Sequence, residues 1–461
     1  MKILLVRPVT PREIVHNLVP PIGLGYLASS LRKSGHEPRL LDCARARMSL
    51  RQFQKAVAEW QPDVVGFHTF SCDVRSVAES ARAARAAQPD AVIVVGGAHP
   101  TGVREKLFDH VPDADYGFVG EAEDSFARFV ESLPSGRPDL DVPGLIFKLD
   151  GAVRCNRQSF TDDLSSLEFP AWDMMPPADY PGSPMGIFFR RSPVAPMVAT
   201  RGCPCACTFC TGRLLHGKTV RRRTAQNIAE EMELLVKNFG VREVHFLDDN
   251  FSSSREFVLE VCEEVSARFP GLAWCCPNGL RLDTLDRELL LAMKRAGCYS
   301  ISVGVESGSA EILRRMKKGL TKEKTEEKVA LIKEAGLDAC GFFILGFPGE
   351  TEQTIEETIS FALSLPLDRA SFFNFLPLPG ATVTEELAAK GEIGRVDYEQ
   401  LHYIYTPYLS PGLTAEKLKS AQRRAFLRFF LRPKILLGAL SRLRSWNQLA
   451  LLITRAFGYL R

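Results

Sequence analysis

The chain has 461 residues, 45% hydrophobic and 25% charged, with a formal net charge of +3. That composition excludes a disordered or bilayer-spanning chain, and the length exceeds one ordinary core, so two or three domains are expected. Twelve cysteines, behind an opening segment too short for a secretory h-region, point to a reducing cytoplasm and away from a disulfide-stapled exported scaffold.

Apolar runs at residues 3–6, 39–41, 64–67, 92–95 and 116–119 alternate with helical patterns at 24–31, 50–60, 74–87 and 125–133. This predicts an α/β, doubly wound, Rossmann-like domain over residues 1–140. Ligands of such sheets sit outside the carboxyl ends of the strands, which here are Pro8 and residues 69–71, 96–101 and 120–123. Gly96-Gly97 would let backbone approach a large planar ligand, although Gly-Gly after a strand also makes a plain turn. His68 and His99 lie near that edge. A strand-end histidine is more often a hydrogen-bonded structural residue, and neither is assigned as a metal ligand.

Pro143-Gly144, Asp150-Gly151 and the Pro-, Asp- and Gly-rich stretch 169–184 mark a connector over residues 141–190. A second strand and helix series follows, with strands at 197–200, 243–247, 273–275, 300–305, 340–345 and 371–375. It predicts a partial (β/α)6 TIM-type barrel over residues 191–395, with chemistry at the C-terminal strand ends. Those ends carry Asp248-Asp249-Asn250, then Asn278 and Arg281, then Gly304-Val305-Glu306-Ser307-Gly308-Ser309, and then Gly346-Phe347-Pro348-Gly349-Glu350. Asp249 or Asn250 also suits a local Asx turn or helix cap, and Pro-Gly a turn without any ligand. Arg281 suits an anion or a surface ion pair. Glu306 stands in a glycine- and serine-rich turn with no lysine partner beside it. Cys262, Cys275, Cys276, Cys298 and Cys340 sit in apolar patterns and are read as core.

The densest feature is Cys203-Pro204-Cys205-Ala206-Cys207-Thr208-Phe209-Cys210, four cysteines in eight residues. A disulfide framework would be spread along a short chain, so a metal or iron-sulfur site is expected; zinc is the weaker choice, because no second ligand pair follows at a suitable distance.

Cys203, Cys207 and Cys210 have the spacing C-x3-C-x2-C and resemble the signature of the radical S-adenosylmethionine (SAM) enzymes. The resemblance implies that these thiolates hold a 4Fe-4S cluster whose fourth iron is open to SAM. Cys205 falls at an open position of the signature and is not assigned. By the same resemblance Asp248 and Asp249 face the SAM amino group, Glu306 with Gly304 and Ser307 the ribose, Gly346 and Pro348 the adenine side, and Asn278 belongs to the SAM-contacting set. The N-terminal strand ends, together with residues 20–27, resemble the cobalamin-binding domain that precedes many radical SAM domains. Pro21, Gly23, Thr69, Ser71, Gly96, Gly97, Ala98, His99, Gly120 and Glu121 are its implied contacts. The Asp-x-His-x-x-Gly pattern that supplies a lower axial histidine is absent, so cobalamin would be held without that ligand.

Residues 396–461 form a helical, basic segment, and from Glu416 to Arg461 eleven Lys and Arg oppose the single acid Glu416. Tyr403, Tyr405 and Tyr408 suit either a flap over the barrel mouth or a packing strap. Basic amphipathic helices suit an anionic membrane surface or a helical cap, and no nucleic-acid recognition motif accompanies them. A cytoplasmic location is expected, with a peripheral position at the inner membrane face as the alternative.

The resemblance is to the group of the anaerobic magnesium-protoporphyrin cyclase and the cobalamin-dependent radical SAM methyltransferases. It implies methylation of an unactivated carbon or phosphinate centre through a 5'-deoxyadenosyl radical and methylcobalamin. The alternatives are ring formation or rearrangement without net methylation, and a non-catalytic cobalamin or iron-sulfur sensor. A small-molecule or lipid-like substrate and a reductant protein such as flavodoxin or ferredoxin are the expected partners.

Overall fold

The computed structural model describes residues 1–9, 18–181, 189–394, 396–402 and 405–441. The first sheet contains β1 (Lys2–Arg7), β2 (Glu37–Asp42), β3 (Val64–His68), β4 (Val92–Gly96), β5 (Tyr116–Phe118), β6 (Leu145–Leu149) and β7 (Ala152–Cys155), ordered β2-β1-β3-β4-β5-β6-β7. The first five strands pair in parallel. They are joined by α1 (Ile22–Lys33), α2 (Leu50–Trp60), α3 (Val74–Ala87), the short α4 (Ala98–Val103) and α5 (Leu107–His110), while α6 (Glu123–Ser132) follows β5. Alternate residues of a strand point to opposite faces. Leu4 and Val6 accordingly pack with Phe53 and Val57 of α2 and Val77 of α3, whereas Ile3 and Leu5 pack with Leu24 and Ala28 of α1 and Phe129 of α6. The sheet is doubly wound as predicted, and its strand order reverses between β1 and β3, where such sheets bind ligands.

The sheet does not end near residue 140. Residues 145–155, read from the sequence as connector, form an antiparallel hairpin on β5. Asp150 and Gly151 turn it with φ of 52° and 77°, the left-handed pair a two-residue hairpin turn requires.

The second sheet contains β8 (Val194–Met197), β11 (Glu243–Phe246), β12 (Ala273–Leu280), β13 (Cys298–Glu306), β14 (Asp338–Leu345) and β15 (Arg369–Asn374) in one parallel series. β8 and β15 are its two edges, so the barrel is partial, as predicted. Between β8 and β11 lies a separate ribbon of β9 (Thr200–Arg201) and β10 (Arg221–Arg222). Helices α7 (Gly212–His216), α8 (Ala225–Phe239), α9 (Arg255–Arg268), α10 (Arg287–Arg295), α11 (Ala310–Arg315), α12 (Lys322–Glu334), α13 (Glu352–Ser364) and α14 (Thr382–Ala389) complete the unit. Val244, Phe246, Trp274, Ile301, Val303, Phe343 and Phe372 share one continuous core with Val258, Leu289, Val329 and Ile359 of the covering helices. β12 runs to Leu280 with a register shift after Cys276, so Asn278, expected beyond a shorter strand, lies inside it.

α15 (Ala415–Phe430) is followed by α16 (Pro433–Ser441). The apolar face of α15, with Leu418, Ala421, Ala425 and Phe429 buried, joins the barrel core, and Gln422 donates to the Phe372 carbonyl at 2.8 Å. This part of the basic segment is a helical cap. Among the described residues no helix is long and apolar enough to cross a membrane. Tyr408 is buried against Phe375 at a ring separation of 5.5 Å, which makes it a packing strap. Tyr403 and the helical pattern at 446–459 lie outside the described residues.

Candidate active site between two sheets

The cysteine loop, residues 202–220, leaves and returns through the β9–β10 ribbon, in which Arg201 is paired with Arg221. Gly202 has φ of 99°, and a Cβ there would collide with the Thr219 carbonyl, so only glycine fits the neck. Cys203 N donates to Gly217 O at 3.1 Å, Thr208 N to Met316 O at 3.0 Å and Gly212 N to the Cys210 sulfur at 3.3 Å. All four thiols are free; Cys203, Cys205 and Cys207 are half-buried and Cys210 is exposed. Burial pushes the Cys203 thiol up to about 12 and raises Cys207 and Cys210 above their ordinary value, a bias that a bound cation reverses.

Side chains from the strand ends gather at this loop. Asp249 lies beside Cys210, and its Oδ2 is buried without a hydrogen-bond partner. Asp248, expected to contact SAM, is occupied elsewhere: its buried carboxylate accepts from Ala199 N at 3.1 Å and from Thr200 N. Burial raises that carboxyl to about 7 against those hydrogen bonds. Asn278 Nδ2 donates to the Leu247 and Asp248 carbonyls at 3.2 and 3.3 Å and so fixes the same turn.

Glu306 has φ of 67° at a register shift of β13, strained backbone for a non-glycine residue. Contrary to the sequence reading, it has a lysine partner: Lys318 Nζ stands 2.8 Å from Glu306 Oε1, both side chains 10% exposed. A Cβ on Gly304 would collide with that pair. Ser307 does not join them, because its Oγ lies 3.0 Å from Thr358 Oγ1 and accepts from Ser309 N. Arg281 is paired locally with Asp283 at 2.6 Å, within electrostatic reach of Cys205 and Cys207.

Gly346 has φ of 78°, and its N–H and that of Phe347 donate to Glu350 Oε2 at 2.5 and 3.0 Å. Pro348 is half-buried at the tip of that turn. Burial pushes the Glu350 carboxyl up to about 8 against those two bonds, and Oε1 has no partner.

On the facing sheet, Gly97 has φ of 109°, and a Cβ there would stand 2.9 Å from Thr69 O. Gly23 and Gly96 face open space. Thr69 is buried with Oγ1 unpartnered, Pro21 precedes α1, and Ala98 opens α4. His99 follows the end of β4, but its side chain is turned into the interior. It is fully buried, with Nδ1 3.1 Å from Ser71 Oγ, Nε2 2.9 Å from His110 Nδ1 and its ring 4.9 Å from Tyr398. Burial lowers its pKa to about 3, so it is a neutral structural histidine and Ser71 is its partner.

Gly120 has φ of 68° and donates its N–H to Thr101 Oγ1 at 2.9 Å. Glu121, expected at cobalamin, instead takes Arg221 in a two-pronged pair at 2.6 and 2.8 Å and Arg201 at 3.3 Å. Burial alone would raise Glu121, but Arg221, His216 and Arg201 hold it down at about 2.

The two sheets meet at their ligand edges. A Cβ on Gly102 of α4 would stand 2.5 Å from the carbonyl of Pro379, in the turn after β15. The strand ends expected to hold cobalamin therefore overlie the barrel mouth. At the opposite end, Glu243, His245 and Cys275 bring ligand atoms within 4.8 Å of one another. Both Glu243 oxygens are occupied there, by Tyr299 OH and His245 Nε2 and by the N–H groups of Arg190 and Arg191, which makes this trio a hydrogen-bonded floor.

Residues 197–362 match the Radical SAM superfamily, and residues 13–130 match the B12 binding domain. An uncharacterized methyltransferase of Pyrococcus horikoshii is 30% identical over 443 residues, covering 95% of this chain and 94% of that protein. The chain belongs to the cobalamin-binding radical SAM family. The cytidylyl-2-hydroxyethylphosphonate methyltransferase of Streptomyces wedmorensis is 28% identical, covering 92% of this chain and 90% of its own length. The anaerobic magnesium-protoporphyrin IX monomethyl ester cyclase of Cereibacter sphaeroides is 27% identical, covering 90% of this chain and 68% of its own length. The fold is that of the radical SAM methyltransferase TsrM from Kitasatospora setae, solved with cobalamin and a 4Fe-4S cluster: TM-score 0.73, 20% identity, 93% of this chain and 88% of that one.

The family's cofactors, a 4Fe-4S cluster, SAM and cobalamin, suit this chain. Three thiols share one loop with a backbone N–H aimed at a sulfur. The Asp249 and Thr69 oxygens are orphaned at the two facing edges, and Gly23 and Gly96 leave room.

Lys318, Arg201 and Arg221 were missed in the sequence, and Glu350 was named only as part of its turn. Lys318 is separated from Glu306 by α11, a distance that pattern reading does not bridge.

Proposed function

We propose that this enzyme methylates an unactivated carbon or a phosphinate centre of a small molecule. When bound, the cluster and SAM supply a 5'-deoxyadenosyl radical that abstracts substrate hydrogen, and cobalamin carries the methyl group. Cys203, Cys207 and Cys210 hold three irons and leave the fourth for SAM. Asp249 accepts from the SAM amino group. Glu306, held by Lys318, accepts from the ribose hydroxyls, and the Glu350-braced turn at Gly346 and Pro348 lines the adenine. Gly23, Thr69, Gly96 and Gly97 border cobalamin. The substrate lies between the two edges, shielded from water, and an external reductant such as flavodoxin or ferredoxin supplies electrons.

The observation that carries this reading is the approach of Gly102, on the edge read as cobalamin-binding, to Pro379 in the turn after β15. The cyclase relative favours a second reading, ring formation without net methylation. Anaerobic incubation of the reconstituted, reduced chain with SAM and candidate substrates separates them. Methyl transfer yields S-adenosylhomocysteine together with 5'-deoxyadenosine. The second reading yields only 5'-deoxyadenosine, and a sensor yields neither.

A further inference from the structure

The neck of the cysteine loop is gripped from the other sheet. Glu121 lies three residues beyond β5, and its carboxylate receives one arginine from each strand of the ribbon, Arg221 at 2.6 and 2.8 Å and Arg201 at 3.3 Å. Arg201 also reaches Glu123 at 2.7 Å, and its guanidinium lies 5.0 Å from the ring centre of Tyr26 on α1. His216, at the end of α7 within the loop, adds a contact to Glu121 at 3.0 Å. The Glu121, Glu123, Arg201 and Arg221 side chains are only 4–8% exposed.

Four buried charges are costly unless each is paired, and a buried ion pair is weak evidence for stability alone. These charges share one geometric property: they join the segment after β5 and the start of α6, at the cobalamin edge, to both sides of a neck that ends one residue before Cys203. Arginine suits that task, since its planar fork fixes direction as well as distance. Gly202 and the bond from Cys203 N to Gly217 O leave the neck little slack.

We propose that Glu121, with Arg201 and Arg221, is a positioning latch through which the cobalamin-binding unit and the cluster loop are coupled, so that occupancy of one is felt at the other. This rests on the functional reading that the two units hold those cofactors. A coupling through one rigid contact is reciprocal. Cobalamin therefore orders the loop, and a loaded loop tightens cobalamin binding.

The test uses the full chain without cluster, with and without hydroxocobalamin, followed by hydrogen exchange over residues 203–217. Cobalamin slows exchange of this segment by at least about fivefold in the wild type, the low end of allosteric couplings. In Glu121→Gln, which keeps shape and loses charge, the change falls below about twofold while cobalamin still binds. Arg201→Lys, which keeps charge and loses the fork, behaves like Glu121→Gln and serves if that variant does not fold. Equal protection in wild type and variant overturns the latch. A wild type that binds no cobalamin overturns the cofactor reading instead. After reconstitution, the electron paramagnetic resonance spectrum of the reduced cluster shifts on cobalamin binding in the wild type and not in the variants; a shift retained in them also overturns the latch.

Discussion

Lys318 Nζ lies 2.8 Å from Glu306 Oε1, above a glycine whose replacement would collide with both. Removing one partner of a buried pair leaves the other charge uncompensated. Lys318→Met is therefore expected to cost about 3–5 kcal/mol in urea unfolding. The double variant Glu306→Gln, Lys318→Met recovers most of that stability but does not recover SAM binding by titration calorimetry. Recovery of both would assign the pair to packing alone.

The adjacent acids Asp248 and Asp249 separate in the same way. Asp248→Ala strands the Ala199 and Thr200 N–H groups in the interior and is expected to lower stability by about 1–3 kcal/mol. Asp249→Asn leaves unfolding within about 0.5 kcal/mol of the wild type and weakens SAM binding by at least about tenfold, or ~1.4 kcal/mol. The reverse pattern would exchange their roles.

Glu350 gives a pH signature. Its carboxyl is raised from an ordinary 4.5 to about 8, mainly by burial, so between those values the folded state holds a proton that the unfolded state has lost. Stability from this group is full below pH 4.5, declines as pH rises and is gone above pH 8. Glu350→Gln keeps an acceptor for Gly346 N and Phe347 N, and it should flatten the fall in melting temperature between pH 6 and pH 8. An unchanged slope would mean that Glu350 is ionised in the fold.

Each of Cys203→Ala, Cys207→Ala and Cys210→Ala should lose cluster absorbance and the corresponding iron after anaerobic reconstitution. Cys205→Ser should keep both. Loss in Cys205→Ser would make it a ligand.

The fold was legible because both sheets announce themselves through apolar runs at helix-separated intervals, buried on both faces. The 145–155 hairpin escaped because its strands are short and its signal, Asp150-Gly151, also marks an ordinary connection. The cysteine triad was legible because ligand spacing within one loop is local. Asp248, Ser307, His99 and Glu121 were read as cofactor contacts because they lie at the correct strand ends. Their side chains are taken by Thr200, Thr358, His110 and Arg221, partners 11 to 100 residues away that no local pattern reveals.

The central claim, methyl transfer by way of cobalamin, is tested most directly with SAM carrying a trideuterated methyl group. Incubated anaerobically with the reconstituted, reduced chain, it is expected to leave S-adenosylhomocysteine in solution and the label on cobalamin extracted from the protein. Accumulation of 5'-deoxyadenosine with cobalamin unlabelled would contradict the account.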